Sequence, residues 1–454
     1  MIAQLLNREF LLKSIQKLSQ NLAQEANLQA QGNQAALERA AQTEVSSEDL
    51  KEAEAMLRDI TQQGIADPAA AEDERAFFPR DARASVVQSA LQEFYQTHQS
   101  EMIETDPTRG AVGGEVLVSD QQLKGLSLSG EDSRGLFGAF EEADVGWAAC
   151  LMAMGVRKLR GKHPFNPQPA PPLPISNQAR ILLVGDWGSG LPRAQKVGAA
   201  MRQVLLESGA ENRQQHVIHL GDVYYSGWKS EYENHFLPYW PVKPGEEDRI
   251  TSWSVNANHD MYSGGADYFD YLLKDPRFAK QAQSSFFSLE NEHWKILGLD
   301  TGYEEHDLAG GQATWVDQEL AQTPKKNGLL LSHHQMFSAY EGDGSKLENK
   351  LRPVLDAGRI RSWFWGHEHR CVCYKPQHGI EYARLIGHGG IPVWASEKQP
   401  PAGVAYEYTE SHNTGWEQWA MFGFTVLDFD DQQIRVRYIN ENGTKHHEEI
   451  LHAR

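Results

Sequence analysis

The stretch HVIHLGDVYY, residues 216–225, is an apolar run that stops at Gly221 and Asp222. A short run of this kind, closed by a glycine, is typical of a buried strand in an α/β sheet. Open α/β sheets bind their ligands beyond the carboxyl ends of their strands. The stretch therefore predicts a buried strand with a functional carboxylate, Asp222, at its end.

The same pattern recurs along the second part of the chain. Five further apolar runs end in polar residues: ILLVGDWG (181–188), SWSVNANHD (252–260), KILGLDTG (295–302), LLLSHHQ (329–335) and SWFWGHEHR (362–370). A helical pattern, Arg193 to Glu207, separates the first two strands. The runs FGFTVLDFD (422–430) and QIRVRYIN (433–440) predict a hairpin that finishes a second sheet. The fold class is therefore α/β.

The residues at the predicted strand ends share one chemistry. They are acids, imidazoles, an amide and a phenol, which are ligands of two hard or borderline metal ions rather than of a thiolate-rich structural zinc site. The set is Asp186, Asp222, Tyr224 or Tyr225, Asn258, His259, His333, His334, His367 and His369. Metal-type ligands at the ends of five strands predict a metal centre.

The order of the motifs GDWG, GDVYY, NANHD, SHH and GHEH resembles the calcineurin-like metallophosphoesterase superfamily. Within it, the pattern is most similar to the purple acid phosphatase branch. The resemblance covers about residues 179–440. We therefore expect a four-layer α/β/β/α metallophosphoesterase sandwich preceded by an N-terminal helical region.

The resemblance also implies the ligands of two metal ions. Asp222 would bridge the two ions, since a carboxylate has two oxygens and can span a pair of metals. The implied ligands of the first metal are Asp186, Tyr225 and His369, and those of the second are Asn258, His333 and His367.

The tyrosine bears on which metals are bound. Gly188 stands where most members of the superfamily have a histidine, and Tyr225 would fill that vacancy in the purple acid phosphatase pattern. A phenol needs a strongly charged ion to displace its proton. The implied pair is Fe(III) with a divalent ion, Fe, Zn or Mn. Two alternatives stay open: Tyr224 is the ligand, or Tyr225 packs against the sheet and both ions are divalent.

The implied reaction is attack of a metal-bound hydroxide on a phosphate ester, most simply a monoester. His259 would protonate the leaving group or contact phosphate, Asp260 would orient His259, and His334 would contact phosphate or lie buried. The expected substrate is a phosphorylated small molecule or protein. One alternative is a phosphodiesterase acting on a nucleotide or lipid headgroup. Another is a non-catalytic interaction protein that keeps metals for stability.

Four residues near the motifs have simpler expected roles. Cys371 and Cys373 are expected to be reduced packing residues, and His388, in GHGG, would face the substrate or cap a turn. Ala257 stands where the family usually has glycine, which would crowd the approach to Asn258.

The first part of the chain has a different sequence pattern, which is typical of helices. Leu11, Ile15, Leu18 and Leu22 recur at the spacing of one helix face. Residues 1–160 are predicted to form a helical accessory region, or an arm that binds a partner or mediates oligomerisation. HPFNPQPAPPLP, residues 163–174, marks residues 161–178 as a proline-rich linker before a catalytic domain at 179–454.

The composition excludes several classes. The formal charge of −19 disfavours binding to a nucleic-acid backbone or an anionic membrane. Three cysteines do not suit a disulfide-built secreted protein. We find neither a signal peptide nor an apolar run of transmembrane length, and we expect a cytoplasmic protein.

Overall fold

The chain forms two compact units, Met1–Gly161 and Lys162–Arg454. This computed structural model describes residues 4–5, 8–34, 36–37, 47–62, 82, 84–89, 116–117, 161–342, 344–393, 400–414 and 417–454. The predicted metal ligands all belong to the second unit.

In the first unit, two helices pack against each other: α1 (Arg8–Ala30) and α2 (Ser47–Gln62). Ile15 and Leu22 of α1 and Leu50 and Leu57 of α2 are buried, as expected of apolar residues repeated on one face. The side chains of Leu11 and Leu18 lie outside the described part. Strands β1 (Gln4–Leu5) and β2 (Val116–Leu117) pair in parallel.

The second unit contains a six-stranded sheet in the order β18-β17-β16-β4-β5-β6. Strands β4, β5 and β6 are parallel, and β16, β17 and β18 are antiparallel. The bounds are β4 Ala179–Val184, β5 Gln214–His219, β6 Ile250–Ser254, β16 Gly423–Asp430, β17 Gln433–Asn440 and β18 Lys445–His452. Almost every residue of β4, β5 and β6 is buried, as the apolar runs predict.

An eight-stranded mixed sheet has the order β13-β11-β12-β10-β9-β8-β7-β3. Its strands are β3 Leu173–Pro174, β7 Phe287–Glu290, β8 Trp294–Gly298, β9 Asn327–Ser332, β10 Ile360–Trp365, β11 Cys371–Tyr374, β12 Tyr382–Ile386 and β13 Val404–Glu407. A separate hairpin pairs β14 (Ser411–Thr414) with β15 (Glu417–Ala420).

The helices of this unit are short. They are α3 Pro192–Leu205, α4 Lys229–Glu231, α5 Asn258–Tyr262, α6 Ala266–Asp270, α7 Gln312–Gln322 and α8 Ser345–Asp356. The turns Ala210–Asn212, Leu272–Lys274 and Pro276–Gln281 are 3₁₀-helical, and Tyr232–Phe236 is a π-helical turn.

Two apolar cores define the layers. One core joins the sheets face to face, with Leu183 and Ile218 of the six-stranded sheet packed in the same cluster as Leu331 and Phe364 of the eight-stranded sheet. The other core lies on the outer face of the eight-stranded sheet. In this core, three strands of the sheet pack against α7 and α8. The residues involved include Leu330, Trp363, Leu385, Val316 and Leu351. Helix α3 packs against β16 of the other sheet. The α/β sandwich expected from the sequence is confirmed.

The proline-rich segment and the C-terminal hairpin show how the chain is organised in the second unit. Residues 162–178 of the segment predicted as a linker belong to the second unit rather than to a separate linker, because Ala170 and Ile175 are buried and β3 pairs with β7. Proline is tolerated there because β3 is an edge strand. The C-terminal hairpin, expected to finish a second sheet, lies in the six-stranded sheet, where β16 pairs antiparallel with β4.

Across the described residues, we find no helix with both the length and the apolarity required to cross a lipid bilayer.

Candidate metal centre

The ends of five strands from both sheets meet at one place. Two groups of possible metal ligands form there and share Asp222: Asp186, Asp222 and His369 make one group, and Asp222, His333 and His367 make the other. Within each group the ligand atoms lie within 4.8 Å of one another. The common carboxylate gives the arrangement of a bridged pair of sites.

Four of these residues have backbones in the left-handed region. The φ angles are 56° for Asp186, 73° for Asp222, 73° for His367 and 47° for His369. Each such residue costs on the order of 1–3 kcal/mol, and such residues cluster at functional sites. The chain leaves each strand in a conformation that turns these side chains toward a common centre.

Two glycines make room for this arrangement. A Cβ on Gly221, which has a φ of 95°, would lie 2.5 Å from Cβ of Ala257 and 3.0 Å from Nδ1 of His333. A Cβ on Gly366 would lie 2.6 Å from Oδ2 of Asp186. The glycines before Asp222 and His367 are therefore required by close packing at the centre.

A tyrosine hydroxyl lies inside the first group. The hydroxyl oxygen of Tyr224 is 3.1 Å from Oδ1 of Asp186, 2.9 Å from Oδ2 of Asp222 and 3.1 Å from Nε2 of His369. One hydroxyl proton cannot satisfy both carboxylate oxygens at once. Four donor atoms suited to a cation therefore converge here.

This geometry bears on the choice between the two tyrosines. Tyr225, the ligand expected from the family pattern, takes part through its main chain: its N–H donates to Glu231, and its carbonyl oxygen lies 2.5 Å from Nδ1 of His259. The phenol that meets Asp186, Asp222 and His369 belongs to Tyr224. The chain turns sharply after Asp222, so counting residues along the loop does not predict which ring faces the centre.

The second group is built around His333. Its Nε2 lies 3.3 Å from Oδ2 of Asp222 and 3.2 Å from Nδ1 of His367. Its Nδ1 lies 2.9 Å from the carbonyl oxygen of Leu220, which fixes the ring and leaves Nε2 for the centre. The main-chain N–H of His367 donates to Oδ2 of Asp186 at 2.8 Å, which connects the two groups.

Asn258 completes the predicted ligand set. Its Nδ2 donates to the hydroxyl of Tyr262 at 2.7 Å. Its Oδ1 is buried and accepts no hydrogen bond from the described residues. An unsatisfied buried carbonyl oxygen is costly in a folded protein, and a metal ion would satisfy it. Ala257, which stands where the family pattern has glycine, has an extended backbone with a φ of −136° that any residue adopts.

The electrostatics of the centre fit a cation. Burial and the nearby Asp222 raise the pKa of Asp186, against the lowering effect of His369. Burial opposes the charged form of Asp222 too, but His333 and His259 hold its pKa well below the usual range. Burial would lower the pKa of His333, yet Asp222 raises it to about 9. The two carboxylates thus favour a positive charge at this place, which a bound cation would supply.

The pKa of the Tyr224 phenol also depends on burial and on the two carboxylates. Burial and the adjacent carboxylates Asp186 and Asp222 raise the pKa of Tyr224 well above its ordinary value. The ring binds as a phenolate only when a strongly charged ion displaces its proton. Together with the unsatisfied oxygen of Asn258, this donor set fits two metal ions.

The three predicted catalytic residues have different environments. Nδ1 of His259 lies against the Tyr225 carbonyl oxygen, so Nδ1 carries the proton and Nε2 is left for the site. Burial lowers the pKa of His259 to about 4. Asp260 was expected from the sequence to orient His259, but its carboxylate has other partners. Its Oδ2 accepts the main-chain N–H of Asp222 at 3.1 Å and its Oδ1 accepts the hydroxyl of Tyr232 at 2.5 Å.

His334 lies beside the centre in a further imidazole group. Its ring centroid is 4.0 Å from that of His306 and 4.6 Å from that of His367. Its Nδ1 lies 3.0 Å from the hydroxyl oxygen of Thr301, while its buried Nε2 has no hydrogen-bond partner among the described residues. His334 therefore has one nitrogen held by the protein and one left for the site.

Sequence reasoning missed two contributors. His306 follows the strand-end motif LGLDTG within the same loop, and a histidine at that place was the available signal. Glu231 accepts the main-chain N–H groups of Tyr225, Ser226 and Trp228, which fixes the loop after Asp222. Its place at the third position of a short helix is the signal of a capping residue.

Part of the second unit is similar to known proteins. Residues 179–371 match the family model described as calcineurin-like phosphoesterase. Among curated proteins, the chain is similar to tartrate-resistant acid phosphatase type 5 of Rattus norvegicus. The two are 24% identical over 306 residues, which cover 58% of this chain and 87% of that protein. This similarity supports the purple acid phosphatase branch.

Solved structures show more distant similarity. One is described as GAP50, the anchor in the inner membrane complex of Plasmodium, with 13% identity, a TM-score of 0.48 and coverage of 61% of this chain and 89% of that one. Another is the cold-active protein-tyrosine phosphatase of a psychrophilic Shewanella species, with 12% identity, a TM-score of 0.32 and coverage of 64% and 87%.

Proposed function

We propose that this chain, whose residues 179–371 match the calcineurin-like phosphoesterase family model, hydrolyses phosphate monoesters at a dinuclear metal centre. The observation that carries the proposal is the pair of ligand groups that share the buried carboxylate of Asp222. Two ions held in this way are the arrangement used for in-line displacement at phosphorus.

Residues for each ion follow from the two groups. Asp186, Tyr224 and His369 would hold one ion, Asn258, His333 and His367 the other, and Asp222 both. Tyr225, implied by the family pattern, is the competing phenol. When bound, the ions would polarise the phosphoryl oxygens and lower the pKa of a bound water. A phenol held beside two carboxylates supports Fe(III) at the first position, with a divalent Fe, Zn or Mn ion at the second.

The protein's own groups have separate tasks. His259 offers Nε2 to the phosphoryl group, since the Tyr225 carbonyl oxygen holds Nδ1. An anionic phosphoryl group beside that ring favours its protonated form, which can then give a proton to the leaving oxygen. Asp260 and Glu231 hold the loop that carries Asp222 and Tyr224. His334 would contact a phosphate oxygen through Nε2.

The test compares p-nitrophenyl phosphate with bis(p-nitrophenyl) phosphate on the full-length protein loaded with metal. We expect faster turnover of the monoester. Preference for the diester would favour a phosphodiesterase, and no turnover of either by fully loaded protein would favour a non-catalytic role.

An inactive variant tests whether the measured turnover belongs to this protein rather than to a contaminating phosphatase. Asp222→Asn should lose nearly all turnover, because a neutral amide replaces the carboxylate that both ions would share. The matched control is Asp317→Asn, whose side chain is 51% exposed on α7 and pairs with Arg359. It should leave turnover unchanged. Equal activity of Asp222→Asn and wild type would overturn the assignment of the bridge.

A further inference from the structure

A second group of metal-type side chains lies outside the centre at Asp222. It consists of Cys371 on β11, His388 in the turn after β12, and His446 on β18. Their ligand atoms, one sulfur and two ring nitrogens, lie within 4.8 Å of one another. Two sheets contribute to the group, since β11 and β12 belong to the eight-stranded sheet and β18 to the six-stranded one.

The imidazoles of this group carry unsatisfied nitrogens. Neither Nδ1 nor Nε2 of His388 has a hydrogen-bond partner among the described residues, although His388 is only 3% exposed. Nε2 of His446 is likewise buried without a partner. Leaving such an atom buried without a partner destabilises the folded state unless a ligand satisfies it. Three unsatisfied nitrogens around one thiol therefore indicate a missing ligand.

The surroundings hold the group in place. The hydroxyl of Tyr406 lies 2.8 Å from Nδ1 of His446, and the ring of Tyr408 stacks on the same imidazole at 3.6 Å. These contacts leave Nε2 of His446 as its available nitrogen. A hydrogen-bonded second nitrogen is the usual support of a metal-binding histidine.

Space for a small ligand adjoins the group. A cavity of about 30 Å³ is lined by Cys371, His388, Glu407 and Tyr408, among other residues. A volume of roughly 10–15 Å³ is enough for one water-sized body. Burial, and then the neighbouring His446, lower the pKa of His388 to about 3, so its ring is a neutral imidazole at ordinary pH. Neutral imidazole is the form that binds metals.

We propose that Cys371, His388 and His446 form a third metal site, separate from the centre at Asp222, that takes Zn²⁺. One thiolate with two imidazoles is a donor set that suits zinc, and oxygen-seeking ions such as Mg²⁺ do not prefer it. A water molecule in the cavity would supply the fourth ligand. Binding releases the thiol proton of Cys371 to solvent as the sulfur–zinc bond forms.

The required movement is small. Zinc bonds of about 2.0–2.3 Å place tetrahedral ligand atoms roughly 3.5 Å apart, so atoms that lie within 4.8 Å must close by about an ångström. Within the described part of the chain, the side chain of His388 has no hydrogen bond to lose when it turns. The bound ion would tie β11, the turn after β12 and β18 together beside His369.

Cobalt spectroscopy of the full-length protein tests the site directly. Co²⁺ bound by a thiolate gives a sulfur-to-metal charge-transfer band in the near ultraviolet, and the described ligands at Asp222 include no cysteine. We expect this band in wild type and its loss in Cys371→Ser. The matched control is Cys373→Ser, because Cys373 is a buried free cysteine on the same strand. That variant should keep the band.

Two results would overturn the proposal: no thiolate band in folded wild-type protein at saturating Co²⁺, or a band that survives Cys371→Ser. Circular dichroism checks that each variant is folded.

Zinc content provides an independent measurement that does not depend on the cysteine variant. In an Asp222→Asn background, where the two-metal centre is disrupted, one zinc per chain should remain by mass spectrometry. Adding His388→Gln should reduce it to zero and remove the rise in Tm caused by zinc. Equal zinc retention with and without His388→Gln would count against the site.

Discussion

The hydroxyl of Tyr224 lies 2.9 Å from Oδ2 of Asp222, only two residues earlier in the chain. The chain returns on itself because Asp222 has a φ of 73°. The same hydroxyl is within 3.1 Å of Asp186 and His369. A local turn and a long-range contact therefore bring one phenol to the position where an iron ligand is expected.

The first prediction distinguishes the adjacent tyrosines. Iron-loaded wild-type protein should be coloured, because a phenolate on Fe(III) gives a ligand-to-metal charge-transfer band in the visible range. Tyr224→Phe should lose that band, and Tyr225→Phe should keep it, as measured by absorption spectra at equal iron content. The opposite outcome would restore Tyr225 as the ligand, and a colourless loaded wild type would exclude a phenolate–iron bond.

The second prediction concerns Asp260 as a positioning residue. It holds Asp222 by accepting its main-chain N–H, and it also accepts the Tyr232 hydroxyl. Asp260→Ala should weaken metal affinity about 10–100-fold, as loss of an outer-shell partner does. Asp260→Asn should restore most of that affinity, because its amide oxygen can accept the Asp222 N–H.

Competition titration against a chelator measures both affinities. If Asp260→Asn behaved like the alanine variant, the negative charge of Asp260, and not its hydrogen bonds, would be what the centre needs.

The third prediction concerns an ion pair in the core of the second unit. Arg193 and Glu441 approach to 2.7 Å, with each side chain 1% exposed. Arg193→Met alone should lower the free energy of unfolding by about 3–5 kcal/mol, because it leaves a buried carboxylate without its partner. The double variant Arg193→Met/Glu441→Leu should lose less than the sum of the single losses.

Urea unfolding of the single and double variants measures this. The exposed pair Arg435–Glu448 is the control, with the arginine 55% exposed, and Arg435→Met should cost less than about 1 kcal/mol. Equal losses at the two pairs would mean that burial does not determine their strength.

The fourth prediction is a pH dependence. Hydrogen bonding to Arg202 lowers the pKa of Glu246 to about 2, from an ordinary 4.5. A depressed pKa in the folded state stabilises the protein above the unfolded value and loses that stabilisation as pH falls. Glu246 therefore contributes at pH 5 and above, and its contribution declines between about pH 4.5 and pH 2.

Glu246→Gln should lower the free energy of unfolding by on the order of 1–2 kcal/mol at pH 7, and by less near pH 3. Thermal unfolding across that pH range measures the difference. Glu247→Gln is the neighbouring control, since Glu247 accepts only a local main-chain N–H from Gly245 among its described contacts. A loss in Glu246→Gln that did not change with pH would contradict the prediction.

Much of the fold could be predicted from local pattern. The runs around Asp186, Asp222 and His367 are buried strands because continuous apolar stretches closed by glycine suit a covered sheet. The side of the sandwich to which the C-terminal hairpin adds was not predictable in this way. It depends on contacts such as Arg180 to Asp428, which are 248 residues apart.

The details of the site depend on geometry that residue spacing does not contain. Asp260 follows His259 directly, but neighbours on a helix do not face each other, so Asp260 contacts Asp222 and Tyr232 instead. The group of Cys371, His388 and His446 could not be predicted from sequence spacing, because His446 belongs to a strand far along the chain. A partner for the N-terminal helices and a cytoplasmic location stay predictions.

Neither ligand group can be completed by one sheet alone. Asp186 and Asp222 follow strands of the six-stranded sheet, whereas His333, His367 and His369 follow strands of the eight-stranded sheet. During refolding, high-affinity metal capture must therefore wait until both halves of the sandwich have docked. Metal uptake would therefore report that the two sheets have packed against each other. A substitution that weakens the packing between the sheets would first lower the affinity for metal.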